Sequence, residues 1–118
     1  MNTLVLGASP NEARYSNKAV KLLSAYKHKV FPVGIRNGEI SGIEIMIGKP
    51  KLTNIHTVTL YLASEKQVAY YEYILELKPK RIIFNPGTEN NELLQLAKEN
   101  KIEVIEHCTL VMLNTGIF

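Results

Sequence analysis

Short apolar segments and segments with helical periodicity alternate along this chain. Five segments have the length and composition of buried β-strands, namely residues 3–6, 30–33, 57–62, 81–84 and 102–105. Between them, apolar residues recur at helical spacing from Ser16 to about Tyr26, from Ser64 to about Lys78 and from about Asn90 to Asn100. This alternation predicts a parallel sheet with helices on both faces, because parallel strands are joined by long right-handed crossovers.

Local signals refine this pattern at two places. Ser64-Glu65-Lys66-Gln67 has the S-x-x-Q form of a capping box, and Pro79 predicts that the helix ends near Lys78. Residues 38–55 follow neither period for long, although residues 43–47 alternate between two glycines. We expect a short edge strand or an irregular excursion there, in place of a regular helix.

The 118 residues are enough for one domain, so we expect a single domain over residues 1–118. The pattern predicts an open, doubly wound α/β sheet of about five parallel strands in the order 3-2-1-4-5. This order reverses between the first and fourth strands, and ligands of such sheets bind at the carboxyl ends of the strands at that point. Residues 7–16 and 85–88 would form the two loops that meet there.

Composition limits the cellular setting and the partners. The single cysteine excludes an internal disulfide, and no apolar run reaches the ~18 residues of a membrane span. No basic region precedes the first apolar stretch, so we do not expect that stretch to be a signal peptide. These features favour a cytoplasmic protein. The net charge of +3 is too small to predict nucleic-acid binding by itself.

Positive charge is concentrated in the first third of the chain. Between Glu12 and Glu39 there is no acidic residue, while six residues are basic: Arg14, Lys18, Lys21, Lys27, Lys29 and Arg36. A locally positive segment suggests an anionic ligand, since the local field matters more than the total charge. A solvated helix face would explain the same pattern.

The segment Gly7-Ala8-Ser9-Pro10-Asn11 lies between the first strand and the first helix, where a dinucleotide-binding fold keeps its phosphate loop. A glycine there lets backbone amides approach a phosphate, and the helix that opens near Ser16 adds free N–H groups. The full G-x-G-x-x-G fingerprint is absent, because the next glycine is Gly34. A turn glycine beside a helix-capping serine is therefore an equal alternative.

The end of the second strand discriminates between nucleotides. NAD-binding domains usually place a carboxylate there to bind the ribose hydroxyls, whereas this chain has Val33-Gly34-Ile35-Arg36-Asn37. Arg36 could instead pair with a phosphate on the ribose. This favours NADP or coenzyme A over NAD, unless Arg36 is a plain surface residue.

The sequence offers little catalytic machinery. Its three histidines are scattered and it contains no aspartate, which excludes a Ser-His-Asp triad. No histidine or cysteine spacing fits a metal site. His107 and Cys108 are adjacent near the end of the fifth strand, so their side chains point to opposite faces and the histidine is poorly placed to activate the thiol. We expect Cys108 to be a small buried structural residue, and we predict no catalytic residue and no metal.

Several motifs, in order along almost the whole chain, resemble those of a known family. Residues 5–11 with Arg14 and Ser16 resemble the opening V-x-G-A-S-x-N-x-x-R-x-S of small bacterial CoA-binding proteins. These proteins are relatives of the CoA-binding domain of the succinyl-CoA synthetase alpha subunit. Residues 30–33, 39–42 and 52–55 resemble the family's second strand and the two segments that follow it. Gly87 with Asn91-Glu92, and later Cys108, resemble its G-x-x-N-E-E-A and R-C stretches.

The resemblance implies a Rossmann-like domain that binds coenzyme A or an acyl-CoA without evident catalysis. It implies three groups of cofactor-binding residues: Gly7, Ala8, Ser9, Asn11, Arg14 and Ser16 around the pyrophosphate, Val33 and Arg36 by the adenosine, and Leu62, Asn85, Pro86 and Gly87 towards the pantetheine. The alternative is an NADP-binding oxidoreductase or redox sensor.

Some positions depart from the family pattern. Glu12 and Tyr15 stand where the family often has proline, Gly34-Ile35 replaces an Asn-Pro pair, and His107 replaces an arginine. The apolar residues 110–118 have no counterpart that we can align. They could complete the core, cover a sheet edge, or pair with a second copy or a partner protein. We expect neither nucleic acid nor a membrane as a partner.

Overall fold

The computed structural model describes all residues, 1–118. The strands are β1 (Thr3–Ala8), β2 (Val30–Gly34), β3 (Glu39–Ile40), β4 (Ile43–Glu44), β5 (Met46–Ile47), β6 (Thr57–Leu60), β7 (Arg81–Phe84) and β8 (Glu103–Glu106). The helices are α1 (Tyr15–Ala25), α2 (Ser64–Gln67), α3 (Tyr71–Leu77), α4 (Asn91–Glu99) and α5 (Thr109–Asn114), with a 3-10 turn (Val68–Tyr70) between α2 and α3. None of the helices has both the length and the apolar character required to cross a bilayer.

Six strands form one parallel sheet in the order β5-β2-β1-β6-β7-β8, and β3 and β4 form a separate antiparallel hairpin. This confirms the predicted Rossmann-like α/β class. The five regular strands predicted from the sequence all lie in the sheet. The short edge strand expected within residues 38–55 is β5, which pairs with the outer side of β2 through Val33↔Met46 and Gly34↔Ile47.

The predicted strand order 3-2-1-4-5 is wrong in one respect. The third regular strand, β6, does not lie outside β2 but pairs with β1 from Thr3↔Thr57 to Leu6↔Leu60. The place outside β2 is taken by β5, which at two residues is too short to show a period. The order therefore reverses between β1 and β6, and the loops that meet at this switch point are those that follow β1 and β6.

The core lies on both faces of the sheet, because successive strand residues point to opposite sides. On one face, Leu4, Leu6 and Leu60 belong to a cluster that includes Ile74 of α3 and Leu93 of α4. On the other face, Val5 packs in a cluster with Val20 and Leu23 of α1 and Leu113 of α5. Met112 and Leu113 are 3% and 4% exposed and belong to the core, whereas Val111 and Ile117 of the same apolar segment are exposed.

The predicted capping box at residues 64–67 does not form. Ser64 is the first residue of α2 rather than its cap, and the cap residue, Ala63, has no side chain that can accept a hydrogen bond. Gln67 is fully buried and bonds to other segments instead. The helical stretch does end where Pro79 predicts, with Lys78 in a left-handed conformation at φ 49°.

Candidate functional site

Gly7 lies near the end of β1, at the switch point between β1 and β6. Its φ is +100°, and a Cβ at this position would lie 3.0 Å from the Tyr61 carbonyl carbon and 3.2 Å from Leu62 Cδ2. The pairing of β1 with β2 shifts register between Leu6 and Ala8, on either side of this glycine. The space that a side chain would fill at Gly7 is thus occupied by the loop after β6. The sequence pattern had indicated instead that this glycine lets backbone amides approach a phosphate.

Two further glycines bring the loop after β2 against the loop after β1. A Cβ on Gly34 would overlap the Ala8 carbonyl oxygen, and a Cβ on Gly38 would lie 2.8 Å from Pro10 Cβ. Both ends of the segment 35–37, which includes Arg36, therefore lie beside the loop after β1. Sequence reasoning predicted no packing role for Gly34. Its role depends on a neighbouring strand that no local pattern reveals.

The loop after β1 is held by its own polar groups. The Asn11 N–H donates to Ser9 Oγ (3.1 Å), and the Ala13 N–H donates to Asn11 Oδ1 (2.9 Å). From α1, Asn17 Nδ2 donates to the Ser9 carbonyl (3.0 Å), and Asn17 is 1% exposed. Sequence reasoning missed Asn17, although a polar residue beside the apolar stripe of a helix was an available signal.

The N-terminus of α1 offers hydrogen-bond donors without a partner in the protein. The first backbone bond of this helix runs from the Lys18 N–H to the Arg14 carbonyl, and the N–H groups of Tyr15, Ser16 and Asn17 have no protein acceptor. No acidic residue lies in the first turn, and the exposed Arg14 is the cap residue. The positive end of the helix dipole adds to these donors, so this end of α1 suits an anion.

The loops after β6 and β7 are joined by buried amide side chains. Gln67 Nε2 donates to the carbonyls of Leu62 and Thr88, both at 2.8 Å. Asn85 Nδ2 donates to the Leu60 carbonyl (2.8 Å), and Asn85 Oδ1 accepts from the Thr109 N–H (2.8 Å). The two loops therefore form one connected rim beside the switch point, and α5 is tied to it.

The predicted site residues differ in how much of their side chains a ligand could reach. Arg14, Arg36, Asn11, Pro86 and Gly87 are exposed, and Gly7, Ser9 and Leu62 are half-buried. The remaining four are buried: Ala8, Ser16, Val33 and Asn85. Direct contact of any of them with a ligand stays a prediction.

The structure divides the basic segment between the two ends of the sheet. Arg14 and Arg36 lie in the loops at the carboxyl ends of β1 and β2, whereas Lys27 and Lys29 precede β2 at the opposite edge. Lys21 pairs with Glu12 at 3.0 Å on the exposed surface. Only part of the positive charge seen in the sequence is thus near the candidate site.

Groups that could take part in proton transfer are poorly disposed. The Cys108 N–H donates to His107 Nδ1 (2.7 Å), so this ring nitrogen is used by the backbone rather than by the thiol. Burial raises the pKa of Tyr61 to about 12, and its hydroxyl lies beside Thr59 and Thr109 without a hydrogen bond of good geometry. No three His, Cys, Asp or Glu side chains are grouped as a metal site would require.

Comparisons with known proteins agree with this architecture. A crystal structure of an uncharacterized protein is 48% identical, with a TM-score of 0.97, and the match covers 99% of this chain and 97% of that one. A Thermus thermophilus protein described as cell-free ID.343 is 20% identical (TM-score 0.86, covering 99% and 90%). A hypothetical protein from Pyrococcus horikoshii OT3 is 23% identical (TM-score 0.83, covering 96% and 81%). The last two similarities concern the fold alone.

A search of curated proteins finds no match to this chain. The family model of a CoA binding domain, however, matches residues 1–114, which is nearly the whole chain and includes every loop of the candidate site. The chain belongs to this family of CoA-binding domains.

Proposed function

We propose that this protein binds coenzyme A or an acyl-CoA, with the phosphates held by the loop after β1 and the N-terminus of α1. The observation that carries the proposal is the set of three unpartnered N–H groups at Tyr15, Ser16 and Asn17, next to an exposed Arg14 and without an acid in the first turn. Donors of this kind satisfy phosphate oxygens without rearrangement of the chain. Membership of the CoA-binding family supports the same ligand.

Within this proposal, the exposed and buried residues have different roles. Arg14 and the amides of α1 contact the pyrophosphate, while Ser9 and Asn11 keep the loop in shape through the bonds that they already make. Arg36 pairs with the phosphate on the adenosine ribose. Leu62 and the turn Pro86-Gly87 face the pantetheine, and the buried Val33 and Asn85 support their loops from behind.

The proposed function is binding without chemistry by this chain. Cys108 is half-buried and His107 Nδ1 is engaged by the backbone, so no base is positioned to activate the thiol. We therefore assign the domain a role in holding CoA or its thioester.

Arg36 gives the test of the ligand assignment. CoA should bind at least roughly tenfold more tightly than dephospho-CoA, because a charge-assisted hydrogen bond contributes about 1.5–3 kcal/mol. The variant Arg36→Ala should lose most of this preference and keep its affinity for dephospho-CoA. The matched control is Lys29→Ala, which removes a cation of the same basic segment at the opposite edge of the sheet.

Calorimetric titrations of CoA, acetyl-CoA, dephospho-CoA, NADP and NAD in low salt would measure these affinities side by side. Equal binding of CoA and dephospho-CoA by the unmodified protein would contradict the role of Arg36. Tighter binding of NADP than of CoA would replace the proposal with the NADP-binding alternative.

A further inference from the structure

Three of the turns that enter the sheet at its amino-terminal edge carry a lysine in a left-handed conformation. Lys27 precedes β2, Lys78 precedes β7 and Lys101 precedes β8, with φ angles of 70°, 49° and 59°. Glycine is the usual residue at such a helix end, because a Cβ destabilises the left-handed conformation. The chain thus has lysine where the backbone alone would favour glycine.

Two of these lysines line open depressions at the same edge. One depression of about 360 Å³ is bordered by His56, Lys78 and Lys80. A neighbouring one of about 280 Å³ is bordered by Lys78, Lys80 and Lys101. Lys78 and Lys80 belong to both, so the two depressions form one surface, which we call the lysine groove. The groove is at the opposite end of the sheet from the loop after β1.

The lysines of the groove form no ion pair within the protein. Neither lining contains an acidic residue. The only ion pair of the structure joins Lys21 to Glu12, so Lys78, Lys80 and Lys101 have no carboxylate within 4.0 Å. The pKa of His56 is lowered, first by burial and then by the positive charges of Arg81, the amino terminus and Lys80, against an opposing effect of Glu103. The groove is therefore a region of positive potential.

Lysine beside a helix C-terminus also compensates the helix dipole, and this effect would apply to Lys78 after α3 and Lys101 after α4. It does not account for Lys80, which belongs to no helix. It also does not account for the lack of acidic residues in the linings of two adjoining depressions. An anionic ligand accounts for all of these observations.

We propose that the lysine groove binds a small ligand with two or more phosphate groups, as a second anion site separate from the loop after β1. Three ammonium groups around two adjoining depressions match a ligand with several negative charges better than a ligand with a single negative charge. Asn54 and Asn100 line the two depressions and add hydrogen-bond donors, although one N–H of Asn100 Nδ2 already donates to the Leu96 carbonyl. The proposal does not depend on CoA binding at the other edge of the sheet.

Tripolyphosphate is the probe for this site, and amide NMR spectra of the labelled protein separate its contacts at the two edges of the sheet. Titration should shift the amide signals of Lys78, Lys80, Arg81 and residues 100–102 with one saturable affinity. Shifts confined to residues 8–17, or no saturation in the groove below about 1 mM, would overturn the proposal.

The variant Lys78→Gly/Lys101→Gly distinguishes binding from structural support. Glycine suits both backbone conformations, so the melting temperature should stay level or rise, while groove affinity should fall at least tenfold. The control Lys49→Gln/Lys66→Gln removes the same charge from exposed positions outside the groove and should leave that affinity within about twofold. Equal losses in both double variants would mean that only net charge attracts the probe, and would refute a defined site.

Discussion

Replacement of Gln67 by methionine should destabilise the protein strongly, although the two side chains have similar shapes. Gln67 is fully buried, and its Nε2 donates to the carbonyls of Leu62 and Thr88. Its Oε1 accepts from Asn90 Nδ2 at 3.0 Å. Asn90 Nδ2 also donates to Tyr71 Oη (2.8 Å), so it keeps a partner in the variant. The carbonyls of Leu62 and Thr88, in contrast, lose their donor in the variant.

The expected loss follows from these two carbonyls. A buried acceptor left without a donor costs about 1–3 kcal/mol, and the bond to Thr88 is buried while the bond to Leu62 is part-buried. We therefore expect Gln67→Met to lower the free energy of unfolding by about 2–4 kcal/mol. Urea denaturation followed by circular dichroism measures this quantity.

Gln95→Met is the matched control, because Gln95 lies on the exposed surface of α4 and its amide reaches only Glu99 (3.3 Å). Its cost should stay within about 0.5 kcal/mol. Since Gln67 joins the loops after β6 and β7, the folded variant should also bind CoA more weakly. Equal stability of the two variants would refute the argument that Gln67 holds this rim together.

Three other predictions concern single residues. Gly34→Ala should cost about 1–3 kcal/mol through its overlap with the Ala8 carbonyl; urea denaturation measures this loss, and unchanged stability would contradict the overlap. Burial, then the amino terminus and Arg81, lower the pKa of His28 from 6.5 in the folded protein. As the pH falls, His28 is therefore protonated in the unfolded chain before it is protonated in the folded protein, so the free energy of unfolding should fall as the pH drops below 6.5. In His28→Gln that fall should be smaller, and an identical pH profile would contradict this. Cys108→Ala should bind CoA normally and lose about 1 kcal/mol, whereas rapid stoichiometric alkylation of Cys108 at neutral pH would reveal an activated thiol.

The regular strands and helices could be predicted because each carries its signal locally. Residues 3–6 and 81–84 are continuous apolar runs or nearly so, and such strands are buried on both faces of a parallel sheet. The position of β6 beside β1 could not be predicted in this way. It depends on whether some other segment pairs with the outer side of β2, and β5 does so with only two residues.

Of the two loops predicted to meet at the switch point, the loop after β1 does so, whereas its neighbour is the loop after β6 and not residues 85–88. The location of the loop after β1 follows from the order of strand and helix alone. The roles of Gln67 and Gly34, in contrast, are set by groups distant in the sequence, namely the Thr88 carbonyl and the Ala8 carbonyl. The prediction of a capping box at residues 64–67 was therefore wrong for a physical reason. The buried amide of Gln67 is stabilised more by hydrogen bonds to two carbonyls than by a hydrogen bond at its own helix end.

Gly7 shows why loss of binding in a variant does not by itself locate a ligand. A side chain at Gly7 would press on the Tyr61 backbone and would adopt a left-handed conformation, so Gly7→Val perturbs the switch point whether or not a phosphate lies there. Arg14 and Arg36 are exposed and make no ion pair within the protein. Their removal changes the charge offered to a ligand and leaves the packing of β1, β2 and β6 intact. Variants of these two arginines therefore report on the ligand, whereas variants of Gly7 report first on the fold.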